Sequence, residues 1–216
     1  MKRVKIGVLV SGRGSNLKAI IENIQKGSLS AEVAVVISDQ ADAYALERAR
    51  KHNITAIHVS AKGYNGKREE YDALLVKEFT KWNVELVVLA GFMRIITKTL
   101  IAAFPNRILN IHPALLPAFP GLHVQRAALE HGVKFSGCTV HFVDEGMDTG
   151  PIIIQAVVPV LDNDTEDSLS ERILKQEHKI YSRAIQLYAE GKLKIVGRRV
   201  LVSGGKQDDT AFLINP

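Results

Sequence analysis

Cysteine is all but missing from this chain: Cys138 is the only one in 216 residues. That excludes an intramolecular disulfide framework and a zinc site built from several thiolates. Long apolar runs are missing too. Lys2, Arg3 and Lys5 open the chain, but the apolar stretch behind them covers only residues 6–10 before Gly12 and Gly14. This is too short for a signal peptide or a membrane span, so no membrane contact and a cytoplasmic location are expected. The net charge is +5, yet the basic residues are scattered among acids. Neither the basic stripe nor the aromatic platform of a nucleic-acid binder is present, so no nucleic-acid partner is expected. A small anionic ligand accounts for the surplus charge. Repeats, low-complexity stretches and linkers are lacking as well, which gives one domain over residues 1–190 and an appendage over 191–216.

What is present is a regular alternation. Residues 5–10 (KIGVLV), 32–38 (EVAVVIS), 56–59, 86–90 (LVVLA) and 107–112 read as buried strands separated by helical patterns. Residues 135–142 and 152–159 add two strands, and 165–188 is the longest helix pattern. The fold class this predicts is α/β: a Rossmann-like, open, mostly parallel twisted sheet with helices on both faces. Residues 193–196 and 200–202 allow a terminal hairpin, and 203–216 reads as a tail.

Three junctions carry chemistry. At the first, Ser11-Gly12-Arg13-Gly14-Ser15-Asn16 joins a strand to a helix N-terminus, where free backbone N–H groups suit a phosphate. No Gly-Lys-Ser/Thr closes it as a Walker A loop, and Leu17 replaces the third glycine of the dinucleotide pattern. A tight turn without a ligand is the alternative. The second is Leu109-Asn110-Ile111-His112-Pro113 at a strand end. Residues i and i+2 of a strand share a face, so Asn110 and His112 enter one cleft: a neutral donor beside a group that titrates near neutral pH. That is equipment for acyl transfer; a satisfied histidine before a Pro-rich turn is the plain alternative. The third is the acidic turn Asp144-Glu145-Gly146-Met147-Asp148-Thr149-Gly150, either solvated or aimed at the same cleft. The apolar exit Gly91-Phe92-Met93-Arg94-Ile95-Ile96 packs on a neighbour or walls a pocket.

Taken in order, SGRGSN (11–16), ADAYALERAR (41–50), LAGFMRI (89–95), LNIHPALLPAFPGLH (109–123), VHFVDEGMDTGPII (140–153) and QEHKIY (176–181) resemble the phosphoribosylglycinamide formyltransferase family of folate-dependent enzymes. The resemblance implies transfer of the formyl group of 10-formyltetrahydrofolate, a cosubstrate, to the amine of glycinamide ribonucleotide in purine biosynthesis, with no metal. It implies a catalytic trio of Asn110, His112 and Asp148. Gly14, Ser15, Asn16 and Glu177 match positions that bind the ribonucleotide. Arg68, Met93, Arg94, Ile95, Ile96, Asn110 and the 144–148 turn (Asp144, Glu145, Gly146, Met147, Asp148) match positions that bind folate. A formyltetrahydrofolate hydrolase, a formyltransferase acting on another amine, and a non-catalytic binding module are the competing readings. The chain's length argues against the extra domains of the first two. A monomer and a homodimer both fit, and Cys138 reads as a small buried hydrophobe in its strand.

Overall fold

The computed structural model describes residues 3–204. Residues 205–216 of the expected tail lie outside the described part. In chain order the elements are β1 (Val4–Val10), α1 (Ser15–Gln25), β2 (Ala31–Ser38), α2 (Tyr44–Lys51), β3 (Ala56–His58), α3 (Arg68–Lys81), β4 (Leu86–Leu89) and α4 (Lys98–Ala103). They continue with β5 (Ile108–His112), α5 (Val124–Glu130), β6 (Phe135–Phe142), β7 (Ile152–Pro159), α6 (Glu166–Ala189), β8 (Leu193–Val196) and β9 (Arg199–Val202). Among the described residues the strands form one sheet in the order β3-β2-β1-β4-β5-β6-β7-β9-β8.

The first five strands pair in parallel, as continuous apolar strands covered on both faces should. Alternation along β1 shows why. Ile6, Val8 and Val10 face a core shared with α1, α2 and α6, while Leu9 faces a second core built from α3 and α4. Gly7 lies under that second helix layer, where a Cβ would press into the Phe79 ring. From β5 onward the pairing turns antiparallel through β6 and β7. Residues 193–202 form a hairpin that extends the sheet, with β9 beside β7 at Ile152 and Arg199.

Consecutive neighbours β1 and β4 belong to opposite windings of the sheet, so their exit loops part and leave a crevice at the carboxyl edge. The first two junctions open at that edge, whereas the 143–151 connection leaves antiparallel β6 beside the start of β5 and folds back until Asp148 reaches Asn110 and His112. Cys138 is fully buried in β6, and burial pushes its thiol up to about 12.

The long helix α6 is fixed at its start by a capping box between Thr165 and Ser168. Just before it, Asp164 takes two bonds from the Arg172 guanidinium, at 2.6 and 2.7 Å. That pairing holds the Asp164 carboxyl well below the usual carboxylate range. A lowered native value means the contribution is complete above the unfolded-state value of about 4 and fades as pH falls below it. Asp164→Asn is therefore expected to cost about 2 kcal/mol at pH 7. Urea melts of both proteins at pH 7 and pH 3 check this: the gap should narrow in acid.

Candidate active site

Asn110 and His112 leave β5 on the face opposite α6, because Leu109 and Ile111 between and beside them fill the α6-side core. His112 is only 4% exposed. Strand register then adds a group that no motif announces. His141 of β6 lies directly opposite Asn110 in the antiparallel ladder, so both side chains share one face. The Asn110 Nδ2 stands 3.2 Å from His141 Nε2. The His141 Nδ1 lies 2.8 Å from the Phe142 carbonyl, an acceptor, so Nδ1 carries the hydrogen and Nε2 accepts from Asn110. Burial lowers the His141 pKa, which keeps that ring neutral and fit to accept.

The same logic fixes the His112 ring. Its Nε2 is 2.8 Å from the Phe119 carbonyl and therefore donates. Its Nδ1 is 3.5 Å from Asp148 Oδ2. A hydrogen on Nε2 satisfies the Phe119 carbonyl, and Asp148 faces the other ring nitrogen across the longer gap. Phe119 reaches this place from a left-handed backbone (φ 51°), as does Asp148 (φ 54°). Such conformations in non-glycine residues are held by their surroundings and gather at functional sites.

Asp148 is the convergence point. Its Oδ2 accepts the Gly121 N–H at 2.9 Å, and its Oδ1 lies 3.5 Å from Asn110 Nδ2 and 3.7 Å from His141 Nε2. The turn that carries it is tightly built. Asp144 Oδ1 accepts from the Thr149 hydroxyl at 2.6 Å and from the Gly146 N–H at 3.1 Å. Arg198 of the terminal hairpin donates to the Thr149 carbonyl at 2.9 Å. A Cβ on Gly150 would run into the Phe142 carbonyl. Of the three acids in this turn, Asp144 braces the loop, Glu145 is exposed, and Asp148 enters the cleft.

A second polar pair sits at the start of α1, on the α6 side. Asn16 is buried, and its Nδ2 donates to Glu177 Oε2 at 2.7 Å while its Oδ1 has no partner. Burial pushes the Glu177 carboxyl up, opposed by the Asn16 amide. The N-cap of α1 is Gly14 (φ 68°), and no side chain caps the helix. The glycine has a packing cause as well, since a Cβ there would lie 2.6 Å from that of Ala45.

The 91–96 exit splits between the two roles the sequence allows. Ile96 is buried in the α3–α4 core, so its side chain walls no pocket. Met93 and Ile95 are 65% and 54% exposed, as are Met147 (53%) and Leu122 (71%) from the facing loops. Arg94 lies over the Tyr71 ring, 4.8 Å from its centroid, and Arg68 opens α3 at the surface. Tyr181, one turn beyond Glu177, is fully enclosed, and its hydroxyl lies 2.8 Å from the Leu89 carbonyl and 3.0 Å from that of Leu109. It pins β4 and β5 just before they separate at Asn110.

Residues 4–185 match the formyl transferase family. The chain belongs to the formyl transferase family. It is 45% identical over 192 residues to the Escherichia coli phosphoribosylglycinamide formyltransferase, covering 89% of this chain and 90% of that one. It is 47% identical over 196 residues to the trifunctional purine biosynthetic protein adenosine-3 of Drosophila pseudoobscura pseudoobscura. That alignment takes in 90% of this chain but 14% of the longer relative. Among solved structures, glycinamide ribonucleotide transformylase 1 from Symbiobacterium toebii superposes with a TM-score of 0.91 at 56% identity. The superposition covers 93% of this chain and 94% of that one.

Every polar group described in the cleft, from Asn16 to Glu177, falls inside the span that matches the family. His141, Tyr181 and the Gly121 N–H escape sequence reasoning. The only trace of His141 is its period-two spacing in FSGCTVHF, which says that it shares a face with Thr139 but not what stands opposite.

Proposed function

We propose that the chain transfers the formyl group of 10-formyltetrahydrofolate to the amine of glycinamide ribonucleotide in purine biosynthesis. The observation that carries this reading is the meeting of Asn110, His112 and Asp148 within 3.5 Å at the carboxyl edge. The uncapped start of α1 and the Asn16–Glu177 pair suit an anionic, hydroxyl-bearing nucleotide: N–H groups for the phosphate, and an unpartnered Asn16 oxygen with a buried carboxyl for its donors. On this reading Gly14, Ser15, Asn16 and Glu177 hold that substrate. The exposed apolar side chains of Met93, Ile95 and Met147 suit a flat ring system, with Arg68 and Arg94 available to an anionic tail. The backbone of Ile96 and the 144–148 turn complete the folate side.

The chemistry is a direct exchange. The amine nitrogen forms a bond to the formyl carbon, the carbonyl oxygen takes negative charge, and the bond to the folate nitrogen then breaks. One proton leaves the attacking nitrogen and one reaches the leaving nitrogen, so a shuttle is required. Asn110 is suited to hydrogen-bond the oxyanion. Its bond to His141 fixes the amide, while its 3.5 Å approach to Asp148 is long enough to be exchanged for a substrate oxygen. His112 supplies a second positive donor and the proton, held by the Phe119 carbonyl and Asp148. No covalent enzyme intermediate is needed, and the one thiol is buried in the sheet.

A spectrophotometric assay of tetrahydrofolate release, run with and without glycinamide ribonucleotide, tests the proposal. Release that depends on the amine, with one formylated ribonucleotide per folate, is expected. Equal release without the amine would make the protein a hydrolase.

A further inference from the structure

We propose that Ser11 is a positioning residue for the folate side of the cleft, its hydroxyl tethering the 91–96 loop to the glycine-rich turn. The inference rests on the folate reading given above and extends it to a residue outside both substrate sets. Ser11 closes β1 and makes three bonds. Its N–H donates to the Gly91 carbonyl at 3.0 Å. Its hydroxyl donates to Asp39 Oδ1 at 2.7 Å and accepts the Met93 N–H at 2.9 Å. The direction of the hydroxyl is not free. Met93 offers only a hydrogen and the carboxylate offers only lone pairs, so the Ser11 hydrogen must go to Asp39.

Asp39 is itself well fixed. It is buried at the end of β2, and its other oxygen accepts from the Gln40 amide at 2.9 Å. The exits of β2, β1 and β4, three neighbours in the sheet, are thus laced together through one hydroxyl. The loop needs such a tie. Its far end is anchored by Ile96 in the core, but Met93 and Ile95 are largely exposed and supply little packing of their own. Phe92 packs against the α3–α4 core and Arg94 lies over Tyr71, so the hydrogen bonds to Ser11 are what fix the backbone of Gly91 and Met93 between those contacts. Ser11 is followed at once by Gly12-Arg13-Gly14, so one residue sets the spacing between the nucleotide turn and the folate wall.

Removing the hydroxyl frees the Met93 N–H to water and loosens the wall, while the backbone bond to Gly91 and the start of α1 persist. Ser11→Ala is accordingly expected to raise KM for 10-formyltetrahydrofolate about tenfold, with kcat and the KM for glycinamide ribonucleotide each within about twofold. Hydrogen exchange at residues 91–95 should quicken in the substrate-free variant, and Ser11→Thr, which restores a hydroxyl, should return both readings toward wild type. Should Ser11→Ala fail to fold, Asp39→Ala removes the acceptor that aims the hydroxyl and is expected to show the same pair of changes. Unchanged exchange, an equal rise in both KM values, or a Thr variant that behaves like Ala would overturn the tether. A wild-type protein that forms no formylated product would instead overturn the proposed activity, and exchange at residues 91–95 would still decide the role of Ser11.

Discussion

Asp148→Asn is expected to lower kcat for formyl transfer by about ten-thousandfold while leaving the fold intact, the scale typical of disabling the group that orients a catalytic imidazole. The size of the loss follows from what the carboxylate faces. The lone pair of His141 Nε2 stands off at 3.7 Å, and the nearer neighbours of Asp148 are donors: the Gly121 N–H, the Asn110 amide and the His112 ring. A carboxylate accepts from all of them, whereas an amide must turn its NH2 toward at least one, which then loses its acceptor. The fold survives because asparagine tolerates the left-handed backbone (φ 54°) that position 148 adopts. Steady-state kinetics beside a thermal melt check the two halves of this expectation. A variant that keeps its melting midpoint and most of its turnover would remove Asp148 from the chemistry.

Asn110→Asp is expected to cost about a hundredfold to a thousandfold in kcat, the range for removing one preorganised oxyanion donor. The substitution preserves shape and reverses polarity. The Asn110 Nδ2 now donates to His141 and leans toward Asp148. A carboxylate in its place would face the Nε2 lone pair of neutral His141 and a second carboxylate 3.5 Å away. Like charges that close raise the pKa of one of them, so the variant should recover part of its activity toward acid pH, where the new acid regains a hydrogen to donate. A pH–rate profile of kcat/KM measures this. A variant with wild-type kcat at neutral pH would show that Asn110 does not touch the oxyanion.

Much of this molecule is legible in its sequence, for physical reasons that differ by region. Short continuous apolar runs such as KIGVLV and LVVLA, too brief for a buried helix and alternating with helical patterns, read as strands covered on both faces, and the structure pairs them in parallel. Period two alone puts Asn110 and His112 on one side of β5. Register is another matter. Whether His141 meets Asn110 or a neighbour depends on how β6 slides along β5, and a shift of one residue would bury it on the other face. Tyr181 carries no such trace either, because its hydroxyl acts on backbone carbonyls 92 and 72 residues away in the chain. The acidic turn is intermediate: composition marks three acids, but only the folded loop separates the brace Asp144 from the cleft residue Asp148. The hairpin at residues 193–202 is readable as a hairpin, yet its docking beside β7 and the reach of Arg198 to Thr149 are tertiary facts.

The convergence of these side chains is tested most directly by a double-variant comparison of kcat for formyl transfer. His112→Ala, Asp148→Asn and the two combined would be measured with both substrates saturating and with each melting midpoint recorded. Groups that act as one unit lose their effect together, so the double variant is expected to be about as slow as the slower single one. Losses that multiply would mean that residues 112 and 148 contribute separately, and would contradict the shared role that their 3.5 Å contact implies.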